Sequence, residues 1–195
     1  MKFSIVIASY KRIKQLRCLL YSLVCQTYDN FEVITLHECQ DDEFDELTLE
    51  FTKDKRFIFY TDQIRYCDFG HTMRNKGYHF SSGDVIVFTN DDNYYTPNFL
   101  SELKLALDSN PGSDFVYYDM VHSHNNKLNH NGKDYGLFIP KLGHSLIDVG
   151  QFAIRKETAK GHLFNSKPDA DGDYIEEIKH KIKPVYINKI LYVHN

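Results

Sequence analysis

The sequence predicts an α/β protein whose mixed central sheet carries helices on both faces. Short apolar runs alternate with amphipathic helical segments through residues 1–113, a pattern typical of an open sheet flanked by helices. From about Asp114 the alternation gives way to strands and polar turns, so we expect a mixed second half. The chain has 195 residues, 42% of them apolar, and is therefore long enough to bury a core.

Four short apolar runs in the first half are expected to form buried strands. They cover residues 3–8, 31–36, 57–60 and 85–88. Helices are expected where apolar residues recur on one helical face, at 13–23, 41–50 and 71–80, and from near Pro97 to the Asn-Pro-Gly stop at 110–112. The second half is predicted to hold strands at 115–121 and 152–155, a polar turn region at 125–136, a helix at 174–182 and closing strands within 185–193.

Composition and charge argue against several classes of protein. The net charge is −4, whereas nucleic-acid-binding proteins usually carry a clear basic excess, so we expect no nucleic-acid partner. No apolar run approaches the roughly 20 residues of a membrane span, which leaves at most peripheral membrane contact. The four cysteines show neither CxxC nor metal-ligand spacing, which predicts reduced thiols and a cytoplasmic location.

Two consecutive carboxylates, Asp91 and Asp92, follow the fourth predicted strand between Asn90 and Asn93. Ligands of open α/β sheets bind beyond the carboxyl ends of the strands. Carboxylates at that place suit a hard divalent cation, which also binds substrate phosphates. Acidic residues after a strand also cap helices, so the pair alone leaves both interpretations open.

Five motifs follow one another along the first 110 residues. They are FSIVIASYKR at 3–12, LLYSL at 19–23, QTYDNFEVI at 26–34, MRNKG at 73–77 with SGD at 82–84, and NDDN at 90–93 followed by Pro97. Their combination resembles glycosyltransferase family 2, whose members have the Rossmann-like GT-A fold and use nucleotide-diphospho-sugars. The resemblance implies a single GT-A domain over 1–195, with a nucleotide-sugar-binding half at 1–113 and an acceptor-side half at 114–195.

The resemblance implies a site for a UDP- or GDP-sugar donor. Arginine pairs bidentately with phosphate, and Arg74 lies within a family motif. Glu38 stands in for the carboxylate that contacts the nucleoside, because HECQ at 37–40 replaces the Asp-Asp-Gly-Ser frequent in the family. The expected donor-binding residues are Ser9, Tyr10, Arg12, Glu38, Arg65, Asp68, Arg74, Asn75, Asn90 and Asp91.

The family resemblance also implies a metal site and a catalytic base. Asp92 takes the last position of the family's DxD motif, and His194 resembles the histidine that ends the GT-A domain, so both are expected to hold Mn²⁺ or Mg²⁺. Inversion at the anomeric carbon needs a carboxylate base. Asp173, followed by an aromatic residue as in the family, is the first candidate, and Asp171 is the second. Both also suit a helix N-terminus, where the helix dipole favours acidic side chains.

A saccharide or glycolipid acceptor is implied by analogy with the family. Its expected contacts are His144, Asp148 and Gln151, which lie within or just after residues 125–146, the region least similar to the family. Two other functions stay open. A sugar-nucleotidyltransferase normally has a glycine-rich loop after its first strand, and residues 8–12 contain no glycine. A non-catalytic nucleotide- or glycan-binding module fits Asn90 and the missing glutamate before Asp173, and it would release no nucleotide.

Overall fold

The computed structural model describes residues 1–122 and 135–195, and within them nine strands and six α-helices. The strands are β1 (Phe3–Ser9), β2 (Phe31–Glu38), β3 (Phe57–Asp62), β4 (Val85–Asn90), β5 (Tyr94–Tyr95), β6 (Phe115–His122), β7 (Gly136–Phe138), β8 (Phe152–Arg155) and β9 (Pro184–His194). The helices are α1 (Ile13–Val24), α2 (Asp42–Leu49), α3 (His71–Phe80), α4 (Phe99–Ser109), α5 (Lys156–Ala159) and α6 (Ala170–Ile178), and a 3-10 turn covers Val149–Gln151. No helix in these two described ranges is long and apolar enough to cross a membrane.

The strands form one mixed sheet in the order β3-β2-β1-β4-β8-β6-β9-β5, with β7 paired to β6. The neighbours β3, β2, β1 and β4 are parallel, and α1, α2 and α3 connect them along the chain. Strand β8 runs antiparallel between β4 and β6, so strands from before and after residue 114 share the sheet. Because β1, β2 and β4 point the same way, the residues that follow them meet at one edge.

Both faces of the central strand β1 are buried. Phe3, Ile5 and Ile7 point to one face and pack with α1, α2 and α4. Val6 and Ala8 point to the other face, where they pack against α3 and the residue before it. Successive side chains of a strand alternate between faces, so burial on both sides explains why β1 is apolar at every position except Ser4 and Ser9.

Helix α3 approaches the sheet closely at Gly77. A Cβ atom on Gly77 would lie 2.2 Å from Val6 Cγ1 and 3.0 Å from Leu36 Cδ1. A larger residue would therefore push the helix away from β1 and β2. Gly77 sets the distance between α3 and the sheet.

The predicted fold class is confirmed, and the four strands and four helices expected in the first half lie within a few residues of their predicted positions. The last helix is predicted at 174–182, but α6 starts earlier, because Asp171 and Asp173 occupy its first turn, where the helix dipole favours acidic groups. The polar turn region predicted at 125–136 lies outside the described residues except for its last two positions. The division into halves at residues 113 and 114 stays a prediction.

At the other edge of the sheet, the buried side chain of Glu32 joins the amino ends of the strands. Its Oε1 accepts hydrogen bonds from Ser4 Oγ and from the amide of Ser82, both at 2.6 Å. Its Oε2 accepts from Lys2 Nζ at 2.6 Å and from Ser82 Oγ at 2.8 Å. Burial alone would raise the pKa of Glu32, but these hydrogen bonds outweigh it and lower the pKa to about 2.

Replacing Glu32 by glutamine is expected to lower the free energy of unfolding at pH 7 by about 2 kcal/mol, because hydrogen bonds to a charged group are lost. A carboxyl group whose pKa is lowered in the folded state stabilises the fold at pH values above its usual pKa of 4.5. This stabilisation is lost as the pH falls from 4.5 towards 2. Urea unfolding of the wild type and Glu32→Gln at pH 7 and pH 3 should therefore show a smaller difference at pH 3. Glu46→Gln, at an exposed glutamate, is the control; an equal difference at both pH values would contradict the assignment.

Candidate active site

A cavity of about 460 Å³ opens where β1, β2 and β4 end. The loop before α3 and the first turn of α6 complete its wall. It is lined by Ala8, Ser9, Tyr10, Arg12, Glu38, Arg65, Cys67, Phe69, Gly70, His71, Arg74, Asn90, Asp91, Pro168 and Asp171. Of the expected donor-binding residues, only Asp68 and Asn75 do not line it.

The guanidinium of Arg74 is buried in the wall of this cavity, with 2% of the residue exposed. It donates hydrogen bonds to Asn90 Oδ1, to the Phe69 carbonyl at 3.1 Å and to His71 Nδ1 at 2.8 Å. Arg74 forms no salt bridge with any carboxylate of the described residues. Asp171 is close enough for this charge to lower its pKa, but the two side chains form no salt bridge. A buried charge without a salt-bridge partner is costly, so this wall of the cavity suits an anion.

Asp91 and Asp92 lie beside the loop that follows β1. Asp91 Oδ2 accepts a hydrogen bond from the Tyr10 amide at 2.8 Å, and Arg12 Nη1 lies 2.5 Å from Asp92 Oδ2. Burial raises the pKa of Asp91 to about 6, and the charge of Asp92 adds to this, against the opposing Tyr10 amide and Arg12. Asp92 Oδ1 is buried and has no hydrogen-bond partner among the described residues.

Glu38, Arg65 and Tyr10 form a second wall of the cavity. The Arg65 guanidinium lies 3.9 Å from the centre of the Tyr10 ring and donates a hydrogen bond to Glu38 Oε2. Glu38 is 1% exposed, and its Oε1 has no partner within the described part of the chain. The wall thus offers an aromatic ring, a cation and a buried acceptor oxygen to a bound group.

His71 is a cavity residue that the sequence analysis does not predict. A guanidinium only donates, so Nδ1 accepts from Arg74 and the proton of the neutral ring lies on Nε2. Burial and then the charge of Arg74 lower the pKa of His71 to about 4, which keeps the ring neutral near pH 7. The chain has ten histidines, and nothing in the sequence pattern around His71 separates it from the other nine.

Asp68 and Asn75, the two expected donor-binding residues outside the cavity, form hydrogen bonds with nearby residues of the chain instead. Asp68 Oδ2 accepts hydrogen bonds from the amide and hydroxyl of Thr72, at 2.8 and 2.5 Å, in the first turn of α3. Burial opposes the effect, but these bonds lower the pKa of Asp68. The side-chain amide of Asn75 bonds the peptide groups of Phe164, with Nδ2 donating to the carbonyl at 2.8 Å and Oδ1 accepting from the amide at 3.0 Å.

A second cavity of about 240 Å³ adjoins the first and shares Pro168 and Asp171 with it. It is lined by Met120, Phe138, His144, Ser145, Ile147, Asp148, Pro168, Asp169, Asp171 and Gly172. Asp173 lines neither cavity; its side chain is 41% exposed and accepts a hydrogen bond from Asn165 Nδ2 at 2.8 Å. Of the two candidate bases, the structure therefore places only Asp171 between the cavities.

Several charges act on the carboxyl group of Asp171. Burial raises its pKa, the guanidinium of Arg74 lowers it, and the charges of Asp148 and Asp169 raise it again. The net direction is upward, which makes Asp171 a stronger proton acceptor than an exposed aspartate. His71 Nδ1 lies 3.9 Å from Asp171 Oδ1, and that ring is neutral.

Asp148 lies at the floor of the second cavity. Its Oδ1 accepts hydrogen bonds from the Gly150 amide at 2.8 Å and from Tyr192 Oη at 2.9 Å. His194 Nε2 lies 3.7 Å from Asp148 Oδ2. The end of β9 therefore contacts the acceptor-side carboxylate predicted from the sequence.

His144 and Gln151, the other expected acceptor residues, differ in exposure. His144 lines the second cavity and packs against α6 where a Cβ on Gly172 would lie 2.6 Å from its ring. Gln151 is fully buried and lines neither cavity. Its amide bonds the Asp148 backbone at 3.0 Å and the Tyr118 carbonyl at 3.2 Å, which holds the 3-10 turn in place.

Backbone strain is concentrated around the two cavities. Five non-glycine residues of the described ranges have a positive φ: Lys11, Cys39, Cys67, Phe69 and Ser145. Cys67 and Phe69 line the first cavity, Ser145 lines the second, and Lys11 and Cys39 each adjoin a lining residue. Such conformations persist where the surrounding structure imposes them, often at functional sites.

The residues at this edge fit a divalent cation that shares its ligands with a phosphate. In the described ranges no three His, Cys, Asp or Glu side chains are grouped so that they could hold a metal by themselves. Mg²⁺ and similar ions are usually bound by one or two carboxylates together with substrate phosphates. The unpartnered Oδ1 of Asp92, next to Asp91, provides such a carboxylate.

Curated proteins similar to the chain include several glycosyltransferases. An uncharacterized glycosyltransferase of Haemophilus influenzae is 29% identical over 117 residues, 59% of this chain and 37% of that protein. The glucosyl-dolichyl phosphate glucuronosyltransferase of Haloferax volcanii is 26% identical over 114 residues, 57% of this chain and 36% of that protein. The matched region spans less than half the length of each of these relatives.

Solved structures share the fold along the whole chain. Staphylococcus aureus TarS 1–349 in complex with UDP-GlcNAc has a TM-score of 0.81 at 16% identity, over 100% of this chain and 59% of that chain. The mannosyltransferase PcManGT of Pyrobaculum calidifontis, in complex with GDP-Man and Mn²⁺, has a TM-score of 0.73 at 12% identity, over 98% of this chain and 56% of that chain. These likenesses show a GT-A fold. The model of the family named "Glycosyl transferase family 2" matches residues 4–175, and the chain therefore belongs to glycosyltransferase family 2.

Proposed function

We propose that this chain transfers a sugar from a nucleotide-diphospho-sugar to a hydroxyl group of a saccharide or glycolipid acceptor, with inversion at the anomeric carbon. The observation that carries the proposal is Arg74, a buried cation without a carboxylate partner among the described residues, in a cavity next to Asp91 and Asp92. Arginine forms charge-assisted hydrogen bonds with phosphate, so the diphosphate of a donor would supply the anion that Arg74 has no carboxylate to provide. The cytoplasmic location and the peripheral membrane contact stay predictions.

The donor occupies the larger cavity in this proposal. Arg74 and Arg12 face the diphosphate, and the wall of Tyr10, Glu38 and Arg65 faces the nucleoside. Structural neighbours in complex with UDP-GlcNAc and with GDP-Man support a UDP- or GDP-sugar. Ser9 and Asn90 line the same cavity, while Asp68 and Asn75 act on the backbone around it.

A divalent cation, Mn²⁺ or Mg²⁺, would be held by Asp92 and His194 together with the donor's phosphates. When bound, such an ion neutralises the negative charge that builds on the leaving diphosphate. The Mn²⁺ in the PcManGT structure supports the choice of a divalent cation. Arg12, which contacts both Asp91 and Asp92, keeps the two carboxylates oriented.

Asp171 is the proposed base, in preference to Asp173. Of the two, only Asp171 contacts both cavities, so it can reach an acceptor hydroxyl beside a bound donor sugar. It would take the hydroxyl proton as the acceptor oxygen attacks the anomeric carbon from the side opposite the leaving diphosphate. His144 and Asp148 would bind the acceptor in the smaller cavity, and Gln151 would hold the turn beneath it.

Arg74→Met is expected to weaken the binding of UDP about 10- to 100-fold, because a charge-assisted hydrogen bond contributes about 1.5–3 kcal/mol. The free energy of unfolding should fall by about 1–3 kcal/mol, since the variant leaves Asn90 Oδ1, the Phe69 carbonyl and His71 Nδ1 without their donor. Calorimetric titration with UDP and urea unfolding measure the two effects. Arg17→Met, at a partly exposed arginine paired with Glu50 and outside the cavity lining, is the control. A folded Arg74→Met variant with wild-type UDP affinity would refute the assignment of Arg74.

Mn²⁺ is expected to raise the affinity of the wild type for UDP at least 10-fold, and this gain should vanish in Asp92→Asn. Amide oxygens are weaker ligands than carboxylates for a hard cation. The variant should therefore have the same affinity for UDP with and without Mn²⁺. Calorimetric titration with and without Mn²⁺ measures the gain. Asp108→Asn, at an exposed aspartate paired with Lys104, should keep it. An unchanged gain in Asp92→Asn would place the cation elsewhere.

Asp171→Asn is expected to lower kcat by a factor of about 10² to 10⁴, because the base is lost. In the wild type kcat should fall with decreasing pH as Asp171 is protonated, at a pH above the usual aspartate range because its pKa is raised. Asp148→Asn removes a neighbouring negative charge, so the fall should move to lower pH, while the amide oxygen of the new side chain can still accept from Tyr192 and Gly150. The pH profile of UDP release from a UDP-sugar is the measurement. Asp173→Asn is the control, and a larger loss in Asp173→Asn than in Asp171→Asn would make Asp173 the base.

A further inference from the structure

Asn75 follows Arg74 on α3 but points away from the donor cavity. Its Nδ2 donates to the carbonyl of Phe164 and its Oδ1 accepts from the amide of the same residue, at 2.8 and 3.0 Å. Both polar atoms of the side chain are therefore used by one residue that lies 89 positions further along the chain. The side-chain amide of Asn75 therefore bonds the backbone of Phe164 as the N–H and C=O groups of a neighbouring β-strand would.

Phe164 lies in a segment, 160–169, that is fully described and contains neither helix nor strand. No ladder of backbone hydrogen bonds fixes this segment to the sheet, yet it leads directly into α6, which carries Asp171. Asn75 supplies the two bonds that tie its middle to α3. Helix α3 is in turn set on the sheet by Gly77.

The ring of Phe164 extends the same connection towards α6. It is stacked on Tyr174 at 4.5 Å and on His71 at 5.8 Å between ring centres, with interplanar angles of 15° and 14°. Its edge contacts Phe88 at 5.1 Å. Tyr174 lies three positions after Asp171, on the same side of α6. A shift of Phe164 would therefore move the side of the helix that carries Asp171.

We propose that Asn75 is a positioning residue that holds Asp171 in place through Phe164 and makes no contact with the donor. The inference rests on the proposed function, in which Asp171 is the base. Adjacent residues of α3 then serve the two halves of the reaction, because Arg74 faces the donor and Asn75 fixes the segment before the base. Asn75 acts on catalysis through geometry, and a displacement of about 1 Å can cost as much as 100-fold in rate.

The test is Asn75→Ala, with Asn75→Asp as a second variant that keeps the acceptor for the Phe164 amide if the alanine variant does not fold. We expect kcat for UDP release from UDP-GlcNAc to fall at least 10-fold, the Kd of UDP to stay within twofold, and amide hydrogen exchange to become faster in residues 160–175. A residue of merely structural importance would lower Tm without this separation of kcat from UDP binding. Asn110→Ala, which loses a hydrogen bond of 2.9 Å to the Ala106 carbonyl at the end of α4, is the control.

Two results would overturn the proposal. A UDP affinity that falls in step with kcat would make Asn75 a donor-binding residue, and unchanged kcat and exchange would show that the bonds to Phe164 position nothing. A wild-type chain that releases no UDP would count against the proposed function. Amide hydrogen exchange in Asn75→Ala would then be the only test of the positioning role. Faster exchange confined to residues 160–175 would support that role, and unchanged exchange would refute it.

Discussion

The buried guanidinium of Arg74 is the interaction on which the rest of the site depends. It is held by an amide oxygen, a carbonyl and a neutral imidazole, so its charge is oriented but not neutralised by the described residues. The same charge helps to keep His71 unprotonated and counteracts the effect of burial on Asp171. Removing or neutralising this single cation would raise the pKa of both His71 and Asp171.

Helix α3 fixes the position of Arg74 relative to the sheet. Gly77 brings the helix close to β1 and β2, and Asp68 holds its first turn through Thr72. Side chains on a rigid element can be placed more accurately than side chains on loops. The cavity wall around Arg74 and the segment that leads to Asp171 are both attached to this helix, which links the two cavities through packed side chains rather than through solvent.

Much of the fold and part of the site could be predicted from the sequence, for physical reasons. Buried strands are mostly apolar, so β1, β2 and β4 and the polar residues after them are visible without a structure. The edge strand β3 is visible from its aromatic and β-branched residues at 57–60. Strands β5 and β7, with two and three residues, are too short to show a period. His71 and the preference for Asp171 over Asp173 depend on burial and on contacts between distant segments. Those are properties of the tertiary structure, and no local pattern encodes them.

In the proposed reaction, the position of Asp171 near a cation and two carboxylates would make its basicity depend on donor binding. Arg74 lowers the pKa of Asp171, while burial and the charges of Asp148 and Asp169 raise it. In the proposed reaction the phosphate oxygens bound by Arg74 would offset part of its charge, even with a divalent cation on the diphosphate, and would weaken the lowering influence. Asp171 would then be a stronger proton acceptor with the donor bound than without it. A base whose strength rose on donor binding would be available when an acceptor hydroxyl can attack. Arg74, which would attract the donor in this proposal, would then also set the order of the two steps.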